Sequence, residues 1–77
     1  MMNISLFVGL CEDAGLNVEF RSGITYVYGD LNECLADISE ARTGDYYIDL
    51  WNTSEEYTEL ISEVVPKYAL TPIEERE

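Results

Sequence analysis

Carboxylates are the one chemically active group this chain carries in number. Its 77 residues hold 16 Asp and Glu against 4 Lys and Arg, with no His, for a formal net charge of −12. Carboxylates can shuttle protons, hold metals or simply present charge, and spacing decides among these. Without His the usual general base is missing and no Ser-His-Asp triad can be built. Glu55–Glu56 and Glu74–Glu75 are sequence neighbours whose side chains diverge. Asp45 and Asp49, four apart on an expected strand, stand about 13 Å from each other, too far to share a metal. No calcium-type loop of alternating oxygen ligands is present, and Cys11 with Cys34 are too few for a zinc site. The chain therefore reads as non-enzymatic, with no catalytic residue, cofactor or metal.

What remains is charge presentation. Glu33, Asp37 and Glu40 fall at i, i+4, i+7, and Glu56, Glu59 and Glu63 at i, i+3, i+7, so on helices each set forms one stripe. Asp30, Asp45, Asp49 and Glu55 add to them. Few Lys or Arg stand at compensating positions, so the stripes repel themselves by a few tenths of a kcal/mol per pair. Only Arg21, Arg42, Lys67 and Arg76 are basic. That excludes direct nucleic-acid binding, which needs clustered cations to neutralise phosphates. It points to a basic protein partner: duplex DNA carries one charge per about 1.7 Å, so 12 charges match about 20 Å of duplex. A domain of this length is about 30 Å across. A plain solubilising surface is the alternative use of the same charge.

Elements must hold these groups in place. Asn3 caps an expected helix from Ile4 to Ala14, with Ile4, Phe7, Val8, Cys11 and Ala14 on one face and Gly15 at its end. Gly9 inside it suggests a close approach to the sheet. Leu16–Arg21 alternates, Ser22–Gly23 turns, and Ile24–Tyr28 is β-branched and aromatic, which together read as a hairpin. A two-residue loop sets Arg21 opposite Ile24 and Phe20 opposite Thr25. Leu16, Val18, Phe20 and Val27 then share one face, with Glu19, Arg21, Ile24, Tyr26 and Tyr28 on the other. Asp30 and Glu33 resemble a capping box opening a second helix, whose apolar stripe is Leu31, Cys34, Leu35, Ile38 and Ala41 and whose end is Gly44. Both cysteines fall on apolar stripes and are expected as buried free thiols. A third strand, Tyr46–Trp51, is expected beside the first. A third helix opens at Asn52–Thr53–Ser54 with Tyr57, Leu60, Ile61, Val64 and Tyr68 inward, and Pro66 should kink or end it.

The expected fold is thus a single small α+β domain over residues 1–70, in the order α-β-β-α-β-α. It has a three-stranded, mostly antiparallel sheet packed by helices. Residues 71–77 are expected to be an acidic, frayed C-terminal tail. If the helices cover one sheet face, Tyr26, Tyr28, Tyr47 and Trp51 mark an aromatic interface on the other, since Tyr and Trp favour interfaces. No apolar run is long enough to span a bilayer, and the first residues make a poor signal peptide. The expected compartment is the cytoplasm of an infected or host bacterial cell.

A small, His-free, strongly acidic α/β chain of this kind resembles the phage- and mobile-element-encoded DNA-mimic inhibitors, the anti-CRISPR and antirestriction proteins. Tyr47–Val65 (YIDLWNTSEEYTELISEVV) is similar in style to the strand-then-acidic-helix pattern of ArdA-type antirestriction proteins, over about a quarter of the chain. The resemblance implies an inhibitor that blocks nucleic-acid access to a basic nuclease or CRISPR or restriction complex. Two other functions fit the residues: an antitoxin or immunity protein neutralising a basic toxin, or a structural module that homodimerises through the Tyr/Trp face.

Overall fold

A computed structural model describes residues 1–51 and 53–77. The elements run α1 (Ile4–Asp13), β1 (Asn17–Arg21), β2 (Ile24–Tyr28), β3 (Cys34–Ser39), β4 (Tyr46–Ile48) and α2 (Glu55–Ala69), followed by a 3-10 turn at Ile73–Glu75. The four strands form an antiparallel meander in the order β1-β2-β3-β4. This corrects the expected three-stranded sheet and its α-β-β-α-β-α order. The strand at Tyr46 pairs with β3, not with the first strand. Asn52, read as part of the helix start, lies outside the described residues.

Local chemistry explains the first hairpin and its neighbouring helix. Asn3 accepts the Leu6 N–H at 2.9 Å, capping α1. At the far end Leu16 N–H reaches Cys11 O and Gly15 N–H reaches Glu12 O, with Gly15 at φ +93°, the Schellman arrangement. Gly9 has open space where a Cβ would sit, so the close approach expected there does not exist. Ser22 and Gly23 both have positive φ, which matches the twist of a tight hairpin. The pairing is Arg21 with Ile24 and Phe20 with Thr25.

The expected second helix is a strand. Leu31, placed on its apolar stripe, is 83% exposed, while Leu35, Ala36 and Ile38 are buried. The register shifts between Val27 and Tyr28, so that Val27 faces Ala36 but Tyr28 faces Cys34. That bulge turns the successive residues Leu35 and Ala36 both inward, and the resulting spacing imitates a helix. The supposed capping box is a turn: Glu33 Oε1 accepts the Leu31 N–H at 3.0 Å, and Asn32 takes φ +64°. Cys11 is buried as expected, whereas Cys34 is exposed.

Both helices cover the same sheet face: α1 packs on β1 and α2, and α2 on β3 and β4. Between them lie Phe7, Cys11, Leu16, Val27, Leu35, Ile38, Ile61, Val65 and Tyr68. The Phe7 and Tyr68 rings stack 4.4 Å apart. Pro66 neither ends nor breaks α2, which continues to Ala69.

Residues after Ala69 are docked rather than frayed. Arg76 is 2% exposed. Its Nε donates to Thr71 O at 2.9 Å, Nη2 to Ala69 O at 2.7 Å, and Nη1 to Ser39 O at 2.7 Å and to Glu40 Oε1 at 3.2 Å. The guanidinium also lies 4.8 Å from the Tyr68 ring centre. Through Ala69 O, which also accepts the Gly44 N–H, this cation sits at the C-terminus of α2, where the helix dipole favours positive charge. Met2 N–H donates to Thr71 Oγ1 and Ile4 N–H to Arg76 O, tying this segment to the start of α1.

Candidate functional site

The ten carboxylates singled out in the sequence do not share one environment. Glu40 turns into the molecule and is only partly exposed: Thr25 Oγ1 and Tyr68 Oη both donate to its Oε2, the latter at 2.7 Å, while Oε1 takes the Arg76 contact. It belongs to an internal network, not to a docking face. Burial, followed by the hydrogen bond to Glu40, pushes the Tyr68 phenol well above its ordinary range. Asp37 lies half-buried on the sheet face turned away from the helices, and Glu33 sits in the turn before β3. The expected Glu33/Asp37/Glu40 stripe therefore does not exist, because a strand with a bulge sends these residues to three different places.

The second stripe is present. Ser54 Oγ accepts the Tyr57 N–H at 3.4 Å to start α2, and Glu55, Glu56, Glu59 and Glu63 are all exposed. At about 100° per residue they occupy an arc of about 100°, spread over about 12 Å of axis. Glu55 and Glu56 gain from the helix dipole in the first turn; Glu59 and Glu63 lie beyond its reach. Lys67 meets Glu63 at 3.3 Å, with both side chains mostly in solvent, a pair worth little. Asp30, Glu33 and Glu56 line a cleft of about 390 Å³ together with Thr53, Ser54 and Tyr57. The α2 stripe is thus continued by the β2–β3 turn. Asp45 is exposed in the loop before β4, and Asp49 Oδ1 accepts the Trp51 N–H at 3.2 Å.

Tyr26 and Tyr28 sit where the hairpin pattern places them, whereas the strand expected over Tyr46–Trp51 ends at Ile48 and leaves Trp51 outside it. Tyr26 and Tyr28 are half-buried on the open sheet face, their ring centres 6.1 Å apart. Tyr47, 63% exposed, shares that face, and Trp51, 87% exposed, follows β4. Arg21 lies 4.6 Å above the Tyr26 ring and donates to the Tyr28 hydroxyl.

Among the described residues no three His, Cys, Asp or Glu side chains are placed to hold a metal ion, and no helix is long and apolar enough to cross a membrane. Sequence reasoning missed the Thr25–Glu40–Tyr68–Arg76 network. Its one legible signal was an arginine inside the otherwise acidic run Glu74–Glu77, in a chain with only four basic residues. No family model, curated protein or solved structure matches this chain.

Proposed function

We propose that this chain is a non-enzymatic, cytoplasmic binding protein that occupies the nucleic-acid site of a basic protein, as DNA-mimic inhibitors of nucleases, restriction enzymes and CRISPR complexes do. The carboxylate face of α2 carries this reading. Four charges spanning about 12 Å stand on average about 4 Å apart, near the 3.4 Å per charge along a single DNA strand. The stripe repels itself and is only weakly compensated by Lys67. Stability alone accounts for Glu55 and Glu56 but not for Glu59 and Glu63. A low-dielectric body behind such a face steers cationic partners at a high rate that falls with salt.

The test is capture from a bacterial lysate at low and at raised salt, with the captured proteins then assayed for DNA binding. Capture should favour nucleic-acid-binding proteins, weaken with salt, and displace their DNA. Replacing Glu56, Glu59 and Glu63 by Gln should abolish it. If the neutral variant retains the same proteins with the same salt response, this function is wrong.

A further inference from the structure

The strand register builds a second surface that the charge of α2 does not explain. Glu19 faces Tyr26, Tyr26 faces Asp37, and Asp37 faces Tyr47. One row of alternating carboxylates and aromatic rings therefore crosses all four strands on the face without helices. Neighbouring strands are about 4.8 Å apart, so the row is about 14 Å long. Half of it already holds a guanidinium, since Arg21 stacks on Tyr26 and donates to Tyr28. On the other half Asp37 and Tyr47 stand together. Among the described residues the ion pairs are Lys67–Glu63 and Arg76–Glu40, and neither involves Asp37.

We propose that this open sheet face docks an arginine-bearing segment of a partner protein, one guanidinium lying on the Tyr47 ring while it donates to Asp37. The occupant follows from charge complementarity. A second copy would bring a net charge of −12 against another −12. Nucleic acid and anionic lipid are repelled for the same reason. Arginine is favoured over lysine because its planar fork can stack on a ring and hydrogen-bond a carboxylate at once. This surface is distinct from the α2 stripe and does not depend on DNA mimicry.

The experiment titrates the intact protein, by calorimetry, with two octapeptides of equal charge, one arginine-rich and one lysine-rich. The arginine peptide should bind about fivefold more tightly or better. That preference should vanish in Tyr47→Ser and in Asp37→Asn, each checked for native circular dichroism, and persist in the variant with Gln at 56, 59 and 63. Equal affinity for the two peptides, or a preference that survives both sheet substitutions, overturns the proposal. So does a wild-type dimer in sizing chromatography that Tyr47→Ser converts to monomer, since a second copy would then own the face.

Discussion

Single residues tune how firmly this molecule holds together. Arg76 satisfies three carbonyls and Glu40 from inside the protein. Removing it strips the buried carbonyls of Thr71 and Ala69 of this donor and leaves Glu40, whose side chain is 26% exposed, without its cation, and a buried acceptor deprived of its partner typically costs about 1–3 kcal/mol. Arg76→Ala should therefore lose about 1–3 kcal/mol in urea unfolding, a large share of what 77 residues can muster. Gly9 works the other way: it sits mid-helix with room for a Cβ. Gly9→Ala should raise stability by about 0.5–1 kcal/mol in the same measurement. Cys11 contributes a pH signature. Burial, then the neighbouring Glu12 charge, raises its thiol pKa from 9.0 to about 11. Between those values the folded state holds a proton that the unfolded state has released, so stability falls as pH rises from 9 towards 11. The fall should be shallower in Cys11→Ala, followed by unfolding midpoints at pH 8.5, 10 and 11. Tyr68 adds loss of the same sign at higher pH.

Elements were legible wherever local signals and the tertiary arrangement agreed. Asn3, Gly15 and the Ser22–Gly23 turn each do in the structure what their chemistry suggests. Residues 30–41 were misread because a bulge reproduces helical spacing. Leu35 and Ile38, three apart and both buried, satisfy both patterns, and only pairing with β2 on one side and β4 on the other selects the strand. Long-range pairing of this kind leaves no local trace. The segment from Thr71 to Arg76 was misread for a related reason: six residues form no stable helix alone, and their order comes from Ser39, Glu40 and Ala69. Backbone chemical shifts should be extended, not helical, across Cys34–Ser39, and helical shifts there would refute the four-stranded sheet. Asn32 at φ +64° holds the turn before that strand. Asn32→Val, a β-branched residue in the left-handed region, should cost about 1 kcal/mol or more, while Asn32→Gly should cost little.

At the scale of the whole molecule, a body of 32 × 21 × 16 Å carries a net −12. Charge of that density is detrimental to a compact state through self-repulsion, and here it is distributed unevenly. Glu40 and Arg76 neutralise each other inside, the open sheet face mixes carboxylates with rings, and α2 concentrates its glutamates on one side. The sequence carried the charge and the α2 stripe openly. It could not show that Glu40 turns inward or that Asp37 joins the Tyr row, since both depend on the strand register. The most direct measurement of the central claim is protection of DNA inside a bacterium with an active restriction or CRISPR nuclease, scored as transformation efficiency of a targeted plasmid. The wild-type chain should raise that efficiency, Asp45→Asn, in the exposed loop before β4, should leave the rise largely intact, and Gln at 56, 59 and 63 together should abolish it. Full protection by the triple-Gln variant would contradict the account.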